Sequence, residues 1–444
     1  MRRFVPLALA ALVLAGTARS EGPLTLADAM ARARERSREV AAANARKTAA
    51  EERARQAAGF RLPVVSVSEL YARTDSPAEN FAFKLNRGEF TFGDFVASDP
   101  NHPETQATSV TRFEAVLPLF TGGELSGRIG QARSAAKAAE STATFASDTA
   151  AREAAEAYVM LAQAEEYVSL LTKARETVKA HVDLAKRYAE EGMLVRSELL
   201  RAEVELSRVD DLLESAKGNV RVANAALAFR LGEPQSSTWE LAPLPAPTPL
   251  GEGVDAWIAT AAGRQDLLAA RSLLAAGELE EKVRRAAFLP KIGVLARHDI
   301  FGQRLFTSSN RGTTVMAFAS LSFSTGLSDS AALAAAREEA RAGREDVARF
   351  EEGIALQVRQ AYEEAVTARA RHATAVKALE AARETERITD ERWKSGVVKT
   401  IDLLDAATAR REAETRELVA RADAQASALK LAQAAGRRPE SVLP

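Results

Sequence analysis

The chain has 444 residues, of which 60 are Lys or Arg and 61 are Asp or Glu, so its formal net charge is −1. This balance disfavours nucleic acid as a partner, and the lack of cysteine excludes disulfides, thiolate metal sites and a lipid anchor on an N-terminal cysteine. No segment offers the ~20 uninterrupted apolar residues that a membrane-spanning helix needs, so any membrane crossing has to use strands.

The first 20 residues predict a secretion signal. Arginines at positions 2 and 3 precede an apolar run over 5–14, and Ala18 and Ser20 form a small-residue cleavage site. Cleavage there removes three arginines and no acid, which changes the net charge from 60 − 61 = −1 to 57 − 61 = −4. We therefore expect an exported protein that begins at Glu21.

The mature chain contains an internal repeat. The segment 117–122 resembles 321–326 at an offset of 204, and the same offset relates Gly192 to Gly396 and Gly232 to Gly436. Three matches in one register predict two structural repeats of one kind. The first repeat covers residues 21–232, a Pro-rich linker covers 233–253, and the second repeat covers 254–444.

Each repeat is predicted to contain a helix, two strands, a very long helix and a shorter returning helix. The long helical stretches are rich in Ala, Glu, Arg and Leu and contain no proline. In chain order the predicted elements are a helix over 25–58, strands over 64–73 and 110–119, helices over 121–189 and 197–231, a helix over 254–287, strands over 291–299 and 313–323, and helices over 327–394 and 401–435.

The four strands are placed by aromatic clustering and by alternation. Thirteen of the 17 phenylalanines fall within 60–120 and 288–323, where apolar and polar residues alternate with period two.

Strands of about ten residues have the length of a transmembrane β-strand. Four strands cannot close on themselves, and open sheet edges are not tolerated in lipid, so closure requires several chains. Two copies would give eight strands and three would give twelve, and a conduit favours three. The alternative is a soluble periplasmic coiled-coil rod with two packed hairpins.

Catalytic motifs do not stand out. The four histidines, at positions 102, 181, 298 and 372, are scattered, and no nucleophile elbow, zinc-binding HExxH or phosphate-binding loop occurs. We expect no enzymatic activity, no cofactor and no metal site.

These features together resemble the TolC-like outer membrane efflux proteins, or outer membrane factors, over essentially the whole mature chain. The resemblance rests on the proline before the first strand, the sequence Leu-Pro-Leu-Phe-Thr-Gly-Gly over 117–123, the duplication and the glycine turns. It implies a fold that is mainly α with a transmembrane β part. In a homotrimer, a 12-stranded β-barrel in outer-membrane lipid would continue as a long periplasmic α-helical barrel.

The same resemblance implies a function and partners. The expected function is passive export through the outer-membrane exit duct of a tripartite efflux or type I secretion system. The expected partners are a periplasmic adaptor and an inner-membrane pump of RND or ABC type. The residues identify neither the cargo nor the energy source of the pump. A periplasmic adaptor is itself the rival interpretation, although an adaptor would carry one helical hairpin and not a duplicated one.

The most specific local match begins at Gly396. Relatives place two aspartates six and nine residues after this glycine at the periplasmic entrance, and Asp402 and Asp405 have that spacing. Residues three apart on a helix share a face, so three chains would form two carboxylate rings that gate the entrance and attract cations. Acids at a helix start are also favourable beside the helix dipole, and both roles can hold. A basic residue that relatives carry two positions after the glycine is Val398 here, with Lys399 next, which disfavours a gate salt bridge.

Two further regions leave alternatives open. The turns Gly192-Met193-Leu194-Val195 and Gly396-Val397-Val398 are either adaptor-docking tips, as the resemblance implies, or helix ends with glycine as a C-cap. The connection over 74–109 is predicted to be an extracellular loop that either folds inward as a plug or caps the barrel.

Overall fold

The computed structural model describes residues 22–97, 99–244 and 246–442, and the predicted secretion signal over 1–20 lies outside them. Within these ranges the chain is mostly helical with one four-stranded sheet, which confirms the predicted fold class of a mainly α protein with a β part. The chain divides into two compact units. One comprises Met1–Ala41, Ser147–Ala261 and Gln357–Pro444, and the other comprises Ala42–Ala146 and Ala262–Leu356.

The predicted single helix over 25–58 is wrong, because the structure has two helices there. Helix α1 is Leu26–Arg36 and helix α2 is Arg38–Gly59. Ser37 separates them with an extended ψ of 130°, and its hydroxyl accepts the N–H of Glu39 at 3.3 Å. A serine whose side chain bonds a nearby backbone N–H starts a new helix and does not continue the old one.

The predicted helix over 254–287 is also divided. Helix α7 is Val254–Ala261, helix α8 is Gln265–Arg285, and a short 3-10 turn follows at Ala286–Phe288. Arg264 has an extended ψ of 136° between them, one residue after Gly263. Glycine lowers helix propensity at this point, and the buried Arg264 guanidinium binds Asp266 at 2.6 Å.

Four long helices follow the offset found in the sequence. Helix α5 is Glu124–Glu190 and helix α9 is Ser328–Lys394, each of 67 residues, so both bounds differ by 204. The returning helices are α6, Arg196–Leu231, and α10, Thr400–Ala434. The part of the chain that the structure describes has no helix that is both long and apolar enough to span a membrane.

The sheet lies wholly in the second unit. Its strands are β1 Val64–Thr74, β2 Gln106–Phe120, β3 Lys291–Gly302 and β4 Asn310–Ser320, paired antiparallel in the order β1-β2-β3-β4. Strand β2 begins four residues before the predicted start, and β4 lies three residues before its predicted range. The β2–β3 pairing joins the two sequence repeats in one sheet, which leaves β1 and β4 as its edges.

The two faces of the sheet differ in charge. The cross-strand register places Val67, Phe113 and Val315 on one face, which also carries the Glu69 carboxylate, hydrogen-bonded by the Ser109 and Thr111 hydroxyls. The opposite face carries Arg112 paired in register with Asp299, beside a second charged pair, Glu114 and Arg297.

The connection between β1 and β2, predicted as a long loop, contains two helices. These are α3 Pro77–Arg87 and a short α4 Asp94–Ala97. Periodicity did not predict α3, which ends at Gly88 in the left-handed conformation with φ 71°.

The core of the first unit surrounds Tyr158. This residue is 1% exposed, and its hydroxyl lies 2.8 Å from the carbonyl oxygen of Leu24 and 2.7 Å from that of Ala242. Leu24 also forms a parallel bridge with Leu241 in the Pro-rich linker. Burial raises the pKa of Tyr158 to about 12, so the hydroxyl stays protonated and can hydrogen-bond these carbonyls.

Candidate functional site

The turn between α5 and α6 reverses the chain through a left-handed glycine. Gly192 has a φ of 75°, its N–H donates to the carbonyl of Ala189 at 3.2 Å, and the Met193 N–H donates to that of Tyr188 at 2.8 Å. This bonding satisfies the last carbonyls of α5, as in a Schellman motif. Met193 and Val195 remain 63% and 66% exposed, while Leu194 is half-buried.

The turn between α9 and α10 has the same backbone geometry. Gly396 has a φ of 72°, its N–H donates to the Trp393 carbonyl at 2.9 Å, and the Val397 N–H donates to the Arg392 carbonyl at 2.9 Å. Val397 is 63% exposed and Val398 is half-buried. A Cβ atom added to Gly192 or Gly396 would meet no atom within 4 Å, so only the positive φ restricts these positions.

Asp402 and Asp405 both lie on the exposed side of α10, close to its start. The Asp402 carboxylate accepts the backbone N–H of Lys399 at 3.1 Å, the geometry of an acid that caps a helix start. Asp405 lies one turn further along the same face, and its carboxylate makes no hydrogen bond or ion pair within the described ranges. The two acids therefore share a face but differ in their contacts, since only Asp402 is engaged in capping.

The buried Trp393 side chain connects the two sides of the turn between α9 and α10. It is 6% exposed, and its indole Nε1–H donates to Thr400 Oγ1 at 3.3 Å across the turn. Thr400 Oγ1 in turn donates to the Glu198 carboxylate at 3.0 Å, which connects α10 to α6. The His181 ring packs edge-to-face against Trp393 at 5.8 Å, and burial lowers the pKa of His181.

Two consecutive arginines fix α10 further along. Arg410 Nη1 lies 2.6 Å from Glu386 on α9, in the same repeat, whereas Arg411 Nη1 lies 2.8 Å from Glu205 on α6, in the other repeat. Burial raises the pKa of the Glu386 carboxyl, and the adjacent Arg410 opposes that rise. Removing one partner of a charged pair with so little solvent exposure strongly destabilises the folded protein, because the other charge is left buried without a partner.

The comparison with family models decides the family of the chain. The model described as "Outer membrane efflux protein" matches residues 29–233 and 259–437. The chain belongs to the outer membrane efflux protein family. This confirms the resemblance to the TolC-like channels, the outer-membrane location and the function as an exit duct of efflux systems. The outer membrane efflux proteins are a family of transport ducts and not of enzymes.

Solved structures give the same fold for this outer membrane efflux protein. A membrane protein from Pseudomonas aeruginosa matches with a TM-score of 0.79 at 18% identity, covering 93% of each chain. The outer membrane protein VceC from Vibrio cholerae matches at 0.76 and 17% identity, covering 93% of this chain and 96% of the other. The open state of the MtrE outer membrane channel from Neisseria gonorrhoeae matches at 0.74 and 19% identity, covering 93% and 89%. No curated protein matches.

Sequence reasoning located the glycine turns and the acids of this efflux protein, but it missed the groups that fasten them. The Trp393 side chain and the Arg410–Arg411 pair were not selected from the sequence. A tryptophan three residues before a helix-ending glycine was a usable signal. The two arginines were not, because charges on a long helix usually form a solvated face, and Glu205 lies 206 positions from Arg411.

Proposed function

We propose that three copies of this chain form a continuous duct from the periplasm to the cell exterior. The observation that carries this proposal is the single sheet with two unpaired edges, β1 and β4, in an outer membrane protein. Unpaired strand edges are not tolerated in lipid, and three copies would supply twelve strands and a lumen wide enough for a solute. The exposed apolar side chains Val65 and Val315, each 68% exposed, suit a lipid-facing surface.

The duct is passive and receives substrate from an adaptor and an inner-membrane pump. The energy for export comes from the pump, as the family's work with adaptor and pump partners suggests. The two turns at Gly192 and Gly396 offer a partner the same backbone shape twice per chain, with exposed apolar side chains at Met193, Val195 and Val397. These turns dock the adaptor, and Leu194 and Val398 support them from the half-buried side.

Asp402 and Asp405 form the gate at the periplasmic entrance. Three copies of the exposed face of α10 would bring six carboxylates around the axis, where they repel one another and attract cations. The ties from Thr400 to Glu198 and from Arg411 to Glu205 hold α10 against α6. Opening at the entrance moves α10 away from α6 and has to break both of these ties.

Fractionation and cross-linking test the proposal. The mature protein should reside in outer-membrane fractions as a species that dissociates from trimer to monomer only on heating. Amine cross-linking in intact cells should stop at three copies. A cross-linked ladder that stops at two copies, or recovery of the protein as a soluble periplasmic monomer, would contradict the trimeric duct.

A further inference from the structure

Helix α3 crosses the end of the sheet that is remote from the long helices. It belongs to the connection between β1 and β2, yet it packs against β3 and β4. Pro77 sits at its first turn, where proline is favourable, and Gly88 ends it with a φ of 71°. The helix is therefore a folded element over the sheet and not an extended loop that follows the nearest strands.

Arg87 fastens the end of α3 to β2. The residue is 3% exposed, and each nitrogen of its guanidinium has an acceptor. Nη1 donates to the Ala107 carbonyl at 2.7 Å and to Thr108 Oγ1 at 2.6 Å, Nη2 donates to Gln106 Oε1 at 2.8 Å, and Nε donates to Glu89 at 2.8 Å. A buried cation with an acceptor at every nitrogen is costly to displace, because moving α3 would leave the cation and its acceptors without partners.

A second attachment joins the end of α3 to the β3–β4 hairpin. Asn310, the first residue of β4, donates from Nδ2 to the Asn86 carbonyl at 3.0 Å. Gln303 donates from Nε2 to Glu89 Oε1 at 2.8 Å. The end of α3 is thus held to β2 by Arg87 and to the β3–β4 hairpin by two amide side chains.

These attachments lie on the charged face of the sheet. Alternation along β2 places Thr108 on the same face as Arg112, and the register of β3 with β4 places Asn310 there as well. Arg112 and Asp299 form an ion pair at 2.8 Å beside the Glu114–Arg297 pair, whereas the opposite face has Glu69 among apolar residues, and the more charged face of a membrane-spanning sheet is the water-filled side. The face beneath α3 is therefore the lumen side.

We propose that α3 is a size-selecting constriction at the exit end of the duct. This inference rests on the proposed function, which makes the long helices periplasmic and the opposite strand ends extracellular. A helix with its side chains is about 10 Å across, so three copies on the lumen side narrow the exit substantially. Substrates then meet two filters, the acidic entrance on α10 and a helical constriction that Arg87 holds in place.

Thiol labelling from outside intact cells tests this constriction without depending on the periplasmic gate or a pump. The chain contains no cysteine, so single cysteines are unambiguous. Ser68→Cys reports the lumen face beneath α3, and the adjacent Val67→Cys reports the apolar face. Val96→Cys, at a position 88% exposed in the loop, reports whether the loop is outside the cell. Each variant is treated with a small charged maleimide and with a bulky polyethylene-glycol maleimide.

The expected result is that Val96→Cys reacts with both reagents, Val67→Cys with neither, and Ser68→Cys with the small reagent alone. Adding Arg87→Ala and Asn310→Ala should raise bulky labelling of Ser68→Cys from undetectable to the level of the small reagent. Lys84→Ala is the matched control, because it removes a 3.0 Å ion pair to Asp94 inside the connection and leaves the attachments to the sheet. It should not change the pattern.

Two outcomes would overturn the proposal, and they differ in what else they contradict. Equal labelling of Ser68→Cys by both reagents in the otherwise unchanged protein, with Val96→Cys reactive, shows that α3 does not narrow the exit, and the duct itself stands. Failure of Val96→Cys to react in cells shows that this end is not outside, which contradicts both the constriction and the orientation of the proposed duct.

Discussion

The two glycine turns have the same backbone and different chemistry. At Gly192 and at Gly396 the φ angle, the bond from the following residue and the open space around the glycine agree. At the offset of 204, however, Trp393 corresponds to Ala189 and Thr400 corresponds to Arg196. The two repeats therefore share the backbone of the turn, while the second repeat has a buried tryptophan where the first has alanine.

Asp402 and Asp405 differ in what the first repeat carries at the corresponding positions, and this difference distinguishes a capping role from the proposed gating role. Asp402 corresponds to Glu198, an acid at the same third helical position of α6, whereas Asp405 corresponds to Arg201, which has the opposite charge. An acid at the third position is a general feature of helix starts, and Asp402 caps α10 in this way. The exposed Asp405 is an acid where the first repeat has a base, so we expect it to contribute more than Asp402 to the electrostatics of the proposed gate.

The largest expected effect comes from placing charge in the shared turns. Gly192→Glu or Gly396→Glu should abolish export while trimers still assemble, because a docking partner would meet a charge where it packs against backbone. Gly192→Ala and Gly396→Ala carry the same left-handed strain, about 1–2 kcal/mol, without the charge. Export assays should therefore separate Glu from Ala. Normal export by the Glu variants would refute docking at these turns.

The tryptophan that distinguishes the second turn should dominate its stability. Trp393→Ala removes a buried aromatic side chain and should cost about 3–5 kcal/mol in the local free energy of unfolding. Trp393→Phe keeps most of the packing and loses the bond to Thr400, about 1 kcal/mol. Limited proteolysis of purified protein should show cleavage near 395–399 in the Ala variant. The first repeat already has alanine, Ala189, at the corresponding position, so the same substitution cannot be made there. Equal protease sensitivity of the unchanged protein and both Trp393 variants would contradict this role.

The two arginines of α10 allow ties between repeats to be compared with ties within one repeat. Arg411→Met should loosen α10 from α6, at about 2 kcal/mol for a lost charged hydrogen bond, and should increase the open fraction of the channel in bilayer recordings. Arg410→Met removes a pair to α9, which belongs to the same helical hairpin. It should lower thermal stability without raising the open fraction. Equal gating by both variants would show that the tie across repeats does not restrain the entrance.

Acid should weaken the second turn slightly. The pKa of His181 is lowered by burial from the ordinary value of 6.5, so the stability that its neutral form contributes is complete above pH 6.5 and is lost as the pH falls below it. The raised pKa of Glu386 acts in the opposite sense, because its protonation relieves an unfavourable buried charge. A melting series from pH 7.5 downward should show a smaller acid-induced loss of Tm in His181→Phe than in the unchanged protein. Parallel curves would refute the His181 contribution.

Local sequence patterns predicted the strands and the helical turns of this fold, whereas the elements that sequence did not predict depend on contacts between distant residues. Period-two alternation found the strands near Val67 and Val315, and the glycines marked both turns, because these signals are local. The breaks at Ser37 and Gly263 were hidden within strongly helical composition. Helix α3 was missed because its attachment depends on Arg87 reaching strand residues about 20 positions away. Similarly, Glu205 and Arg411 become a pair only when the two repeats pack together.

Single-channel recording with the acids neutralised tests the central claim most directly. The purified trimer in a planar bilayer should give small, cation-selective currents that multivalent cations block from the periplasmic side. Asp402→Asn with Asp405→Asn should enlarge these currents and relieve the block, and Asp405→Asn alone should reproduce more of the change than Asp402→Asn alone. Unchanged currents in the double variant would contradict a gate on α10, and a purified protein that is monomeric and forms no channels would contradict the duct.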